Sequence, residues 1–282
     1  MKTKNLVIAT ALITIAGFTA CKKTDNSSPA TEEITATVDL STDQAISDNL
    51  TEDANALFME AATENGLTGE TPATPLETMG ILGCATVTVT PLLGFPKTIV
   101  IDFGTGCSSN NGITRKGKIN VVLSDSLRKS GSTAVMTFAG YFVNKFQKEG
   151  TITWTNISTP TAKGWQRKLD NGKITDSSGK YWLHTALINV IQIAGYDTRR
   201  NLLDDVFSIT GTSTVTNSKG GTRTSTIIAP LIKKTICENI TQGTKEVKAP
   251  RFNAIIDFGN GECDRIATIS INGNAPKTIL LR

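Results

Sequence analysis

Polarity along the chain changes its period twice. Residues 6–17 (LVIATALITIAG) are one unbroken run of apolar, small and threonine side chains behind a basic start at Lys2 and Lys4. That length matches a signal-peptide core and is too short to span a bilayer as a helix. The stretch that follows, up to residue 40, is polar, with Lys, Asp, Asn, Ser and Pro29. It cannot bury enough apolar surface to order itself and is predicted to be a tether. Across 41–65, Ile46, Leu50, Ala54, Leu57, Phe58 and Ala61 recur at spacings of three and four, which predicts one apolar face of a helix. Ser41 with Gln44 fits a capping box, Thr51 is an alternative start, and Asn65-Gly66 supplies the end.

From Cys84 onward the period is two. Residues 86–90 read TVTVT, and Ile119, Val121 and Leu123 share one side of a strand over 116–124. Further β-rich runs are predicted over 99–103, 134–146, 151–157, 181–193, 206–216, 222–228, 254–258, 266–271 and 278–281. Turn signals stand at Asn111-Gly112, Asn171-Gly172, Ser178-Gly179, Gly220-Gly221 and Asn272-Gly273. Residues 187–194 fit a short helix on periodicity, but β-branched neighbours favour strand. Hairpin-length gaps argue an antiparallel sheet. The expected fold is all-β: an antiparallel meander or sandwich-like sheet with one N-terminal helix. The expected organisation is signal peptide 1–20, disordered tether 21–40, acidic amphipathic helix 41–66, linker 67–80 and disulfide-tied β domain 81–282.

One phrase occurs twice, IDFGTGC at 101–107 and IDFGNGEC at 256–263. Each copy reads Cys, Pro, apolar strand, Asp-Phe-Gly-x-Gly, Cys. The glycines permit a tight turn, and Asp102 and Asp257 can accept from the turn's own amides. Cys84, Cys107, Cys237 and Cys263 are an even set that suits two disulfides in an exported protein. Four cysteines allow three pairings. Pairing within each copy, Cys84 with Cys107 and Cys237 with Cys263, is the simplest; cross-links between copies are the alternative.

The fifth cysteine, Cys21, follows Phe18-Thr19-Ala20 and resembles the lipobox of bacterial lipoproteins. That likeness implies acylation of the Cys21 thiol and cleavage before it; Phe18 stands where Leu is usual. The lipobox, the early acidic helix, IDFGTGC followed by TRKGKINVVLSD, LLDDVFSITGTSTVTN and IDFGNGECD together resemble a group of uncharacterised lipoproteins of Bacteroidota. The resemblance implies attachment to the outer membrane and an all-β body, and brings no activity or ligand with it. The Asp-Phe-Gly-x-Gly turn is also similar to that of polycystic-kidney-disease-type β-sandwich modules.

Candidate chemistry is sparse. The Asp-Phe-Gly of kinases is excluded because no phosphate loop or catalytic loop accompanies it. Asp257, Asn260, Glu262 and Asp264 place four oxygen donors in eight residues, without EF-hand spacing and without a counterpart in the first copy. His184, the single histidine, reads as a core or edge residue rather than a catalyst. Asp204 and Asp205 read as a solvated turn, with side chains that diverge if the strand has begun. Asp102 and Asp257 would form a glycosidase-like pair only if the two copies packed face to face. Trp154, Trp165 and Trp182 fit core packing better than a sugar-binding face. No catalytic, cofactor-binding or metal residue is therefore assigned.

Charge changes this picture most. The chain carries +4, and losing Lys2 and Lys4 leaves +2. Residues 24–96 hold twelve acids and no Lys or Arg, whereas 97–282 hold 25 Lys and Arg against 13 acids, a net +12. Either the acidic helix lies on a basic face of the sheet, burying Leu50, Leu57 and Phe58, or the basic surface takes a polyanion such as lipopolysaccharide or an acidic glycan. Nucleic acid is not expected. The combined expectation is a lipid-anchored outer-membrane protein with a non-enzymatic binding or structural role. A hydrolase using paired carboxylates is the alternative.

Overall fold

The computed structural model describes residues 29–69, 77–110, 112–198, 201–250 and 252–281, with side chains from residue 43 onward. Cys21, the signal segment and residues 70–76 of the linker lie outside the described residues. One helix, α1 (Pro29–Glu64), precedes fourteen strands. They are β1 (Thr86–Thr90), β2 (Lys97–Asp102), β3 (Cys107–Ser108), β4 (Thr114–Leu123), β5 (Thr133–Val143), β6 (Phe146–Asn156), β7 (Lys163–Thr175), β8 (Tyr181–Ala194), β9 (Val206–Asn217), β10 (Thr222–Lys234), β11 (Gln242–Ala249), β12 (Phe252–Asn260), β13 (Ile266–Ile271) and β14 (Lys277–Leu280). All pair antiparallel in one sheet that follows chain order from β1 to β14, with β3 alone set aside against β4. The expected all-β antiparallel meander with one helix is the architecture observed; the sheet does not close on itself.

The helix begins twelve residues before the expected Ser41 start, so 29–40, expected as part of a disordered tether, is helical. Proline suits a first helical turn because its missing N–H has no helical partner there. At the other end, Gly66 adopts φ +67°. Leu67 N–H reaches Ala62 O at 2.8 Å and Gly66 N–H reaches Thr63 O at 3.1 Å, the paired bonds of a Schellman cap. Both described ends of the linker are tied down. Leu67 O accepts from Leu127 N–H at 2.8 Å, and Glu77 O accepts from Leu202 N–H at 2.9 Å.

Strand boundaries depart from expectation in three places. The run 134–146 is two strands, split at Asn144, which takes φ +51°. Strands β7 and β11 were not expected, and Asn171-Gly172 is not a hairpin turn. It is an irregularity inside β7, where the register to β8 shifts between Leu169 and Gly172. The shift has a neighbour: a β-carbon on Gly150 of β6 would lie 2.7 Å from Gly172 Cα. Likewise, a β-carbon on Gly117 of β4 would collide with the Gly140 carbonyl of β5. These four glycines lie at register shifts in consecutive strands. Bulged glycines let a sheet bend sharply, and here the sheet curls around α1.

The main core lies between that curl and the helix. Leu57 and Phe58 of α1 pack with Ile99, Ile119, Val121, Met136 and Trp154 from the wall. Phe58 meets the Trp154 ring edge-on at 5.3 Å between centroids. Two smaller apolar clusters lie downstream, around Ile209 and Leu231 and around Val247 and Phe252.

Candidate functional site

Charged groups converge in one region, the seam where the middle of α1 meets the inward face of the sheet. Helix periodicity places Asp43, Gln44, Ser47, Asp48, Thr51, Glu52, Asp53 and Asn55 toward several strands at once, because the sheet surrounds them. Strand alternation aims Arg115, Tyr141, Lys148, Arg167, Trp182 and His184 back at them.

Asp53 is the most heavily engaged. Arg115 grips it through both Nε, at 2.9 Å, and Nη2, and the Tyr141 hydroxyl donates to it at 3.2 Å. Burial works against the Arg115 charge, but Asp53 outweighs it and pushes the guanidinium pKa up. Burial beside Asp53 also drives the Tyr141 pKa well above its usual value, so the phenol stays protonated. Glu52 receives Arg167 at 2.8 Å, and Asp43 receives Lys180 at 3.1 Å. Asp48 receives Lys245 at 2.8 Å. Burial alone would raise the Asp48 pKa; Lys245, with lesser help from His184 and Gln44, pulls it below the usual carboxylate value.

The hydroxyls and amides complete the seam. Ser47 Oγ donates to Asp43 O, and Thr51 Oγ1 donates to Ser47 O, both at 2.8 Å. Each hydroxyl oxygen is then free to accept. Trp182 Nε1 donates to Ser47 at 2.6 Å and Lys148 Nζ donates to Thr51 at 3.0 Å. Trp154 Nε1 donates to Asn55 at 2.9 Å, and Gln44 donates to Ser213 at 2.9 Å. Thus the tryptophans face inward, and the expected core packing of Trp154, Trp165 and Trp182 is observed: all three are buried. Burial lowers the Lys148 pKa to about 8.

His184 is buried as expected of a core residue. Burial lowers its pKa to about 4, the nearby Asp48 only partly opposing this. The ring is therefore neutral at pH 7, and its Nε2 stands 3.6 Å from Asp48, too far for a strong bond.

The repeated phrase is brought out as turn chemistry. Asp102 accepts from Gly104 N–H at 2.8 Å and Asp257 from Gly259 N–H at 2.9 Å. The two aspartates lie on β2 and β12, with eight strands between them in sheet order, so the imagined pairing of these carboxylates has no basis in the topology. Disulfides join Cys84 to Cys107 and Cys237 to Cys263, with Cα separations of 5.9 and 5.3 Å. In the oxygen-rich stretch after β12, Asp264 caps Ile266 N–H at 2.9 Å. Among the described residues no group of three or more His, Cys, Asp or Glu could hold a metal ion.

One reading of the sequence is corrected: Asp204 and Asp205 do not form a solvated turn, because Asp205 is buried. Strand β9 begins only at Val206, so Asp204 and Asp205 precede it and do not alternate. A β-carbon on Gly195 would collide with both carboxylates, which places them over the same glycine. Asp205 is buried, accepts from Gln192 Nε2 at 2.6 Å, and has its pKa raised to about 7. Burial is the main cause; Arg128 opposes it and Asp204 adds to it.

Comparison with known proteins finds no matching family model, no matching curated protein and no matching solved structure. No helix among the described residues is long and apolar enough to cross a membrane. The class defined by fold and seam is an open antiparallel meander filled by its own acidic helix.

Proposed function

We propose that this is a lipid-anchored cell-envelope protein whose body binds or builds rather than catalyses, with no cofactor. One observation carries the non-catalytic reading. The place where charged side chains converge is occupied by the chain's own helix, and Asp43, Asp48, Glu52 and Asp53 each have a cation from the sheet as partner. Acids held this way position a helix; they are not free to attack a substrate. The attachment reading rests on the apolar segment ending in Ala20-Cys21 and on the outer-membrane resemblance. A polyanion or glycan partner would use exposed lysines such as Lys116, Lys145 and Lys219, since Lys118 and Lys168 are paired with Asp102 and Asp170.

Radiolabelled fatty acid fed to the expressing bacterium tests the anchor: wild type takes up label and Cys21→Ala does not. Equal labelling of both overturns it. The hydrolase alternative retains one specific support, the Asp204–Asp205 pair with its proton held near neutrality, which suits a general acid. A screen of glycoside and ester substrates decides it. Turnover that is lost in Asp205→Asn, with melting temperature kept, would replace the binding reading.

A further inference from the structure

The two ends of the sheet differ in a way that the helix seam does not explain. In an antiparallel meander, alternate turns fall at opposite rims. One rim carries the turns at 103–106, 144–145, 176–180, 218–221 and 272–276, built from Asn, Ser, Gly, Asp and Lys with few apolar residues. Helix α1 enters beside this rim, where Asp43 meets Lys180. The other rim carries 91–96, 124–132, 157–162, 195–198 with 201–205, 235–241 and 261–265. Here large apolar side chains stand in water: Leu92, Leu93, Phe95, Ile157, Tyr196 and Ile236.

The hairpin tip between β1 and β2 is the extreme case. Its sequence, PLLGFP, has no charge and no side-chain donor. Leu92 and Leu93 are 89 % and 88 % exposed. Beneath them Lys97, itself buried, donates through Nζ to the carbonyls of Pro91 and of Leu92, the latter at 2.7 Å. Two backbone acceptors of the tip are thereby satisfied from within. A carbonyl removed from water without a partner costs free energy, so this arrangement lets the tip enter an apolar medium without stranding them.

We propose that this rim seats on a lipid bilayer surface, with Leu92, Leu93 and Phe95 inserted as the leading wedge. The exposed apolar groups recur from the β1–β2 tip to the loop after β10. At about 4.8 Å per strand that is an arc of tens of ångströms. A protein pocket would take the tip alone; a plane takes the whole rim. The charges of the neighbouring turn are compensated within the protein: Arg128 donates to Gln192 Oε1 at 3.1 Å near Asp205, and Lys129 pairs with Asp125, so apolar insertion and not headgroup charge carries the contact. The rim lies at the far end of α1 from Pro29, and the inference does not depend on acylation of Cys21.

The test places a reporter in the full chain. Leu93→Trp puts an indole at the tip, and Leu187→Trp puts one on the exposed outer wall of β8; native Trp154, Trp165 and Trp182 are buried and give a constant background. Both variants are mixed with phosphatidylcholine–phosphatidylglycerol vesicles, with and without brominated acyl chains. The added emission of the tip indole is expected to shift to the blue and to lose most of its intensity to the brominated lipid, while that of the wall indole keeps its own. Unchanged emission from the tip indole, or equal quenching at both sites, overturns the proposal. Leu92→Ser with Leu93→Ser and a wild-type melting temperature should release a rim-bound chain; undiminished quenching of an indole at position 95 (Phe95→Trp) in that background would also overturn it.

Discussion

The two copies of the Asp-Phe-Gly phrase are alike in their turns and unlike in their surroundings. Each has an aspartate bonded to the amide two residues on, and each is closed by a disulfide of similar span, 23 and 26 positions. The first copy feeds the main core: Ile99, Ile101 and Phe103 are 0 %, 0 % and 3 % exposed. In the second, Ile256 and Phe258 remain half-buried beside small clusters. Local sequence dictates the turn, but only the strands enclosed with α1 gain a full core. The helix, not the phrase, makes one region of this sheet dense and leaves the other thin.

Substitutions of one aromatic ring in each region should separate them. Phe58→Ala removes the helix ring against Trp154 and is expected to cost about 3–5 kcal/mol. Phe258→Ala should cost less than about 2 kcal/mol, in line with its partial burial. Urea unfolding of both variants checks the contrast; equal losses would erase it. Next comes Asp53→Ala, which strands a buried guanidinium and should cost roughly 3 kcal/mol. Asp53→Ala made together with Arg115→Met should recover much of that loss.

Opening either disulfide by Cys→Ser pairs tests a different term. Loop closure in the unfolded chain depends on span, so each bond should contribute about 3 kcal/mol despite the unequal cores. A much larger loss for Cys84–Cys107 would mean that the bond acts through the native core instead.

The smallest net effect is a pH dependence, because two buried groups oppose one another. The His184 pKa is about 4 in the folded chain against roughly 6.5 unfolded. The unfolded state therefore gains the proton first, and stability falls as pH drops from about 6.5 toward 4. The groups facing His184 are Asp48 on α1, Lys148 on β6 and Lys245 on β11. Asp205 acts in the opposite sense: its raised pKa of about 7 gives stability present below about 3.8 and lost as pH rises through 7. Melting temperatures across pH 4–7 should fall less toward acid in His184→Gln than in wild type, and more in Asp205→Asn.

How far the sequence could be read follows the same division. Strand β4 was legible because Ile119, Val121 and Leu123 alternate against a one-sided core. The docking of the acidic helix was legible as well, from its apolar face and the opposed charges. Strand β7 was hidden because Asn171-Gly172 looks like a hairpin turn when nothing in the sequence reveals Gly150 beside it. The early start of α1 was hidden by the polar character of 29–40, although Pro29 itself marks a permissible first turn. Within the seam, no one-dimensional pattern shows which strand faces Asp53. Arg115 lies 62 positions away, and only the curl of the sheet joins them. The Asp204–Asp205 pair was read as solvated because its burial depends on where β9 begins and on Gln192 beside it.

Native-state hydrogen exchange, compared between wild type and Phe58→Ala, tests most directly whether the helix makes the dense region. Amides of β4–β7 should exchange only through the slowest opening in wild type and lose protection by most of the variant's stability change, while amides of β12 and β13, exchanging through a smaller opening, should keep their rates. An equal loss of protection in both regions would show one uniformly cooperative sheet and contradict the account.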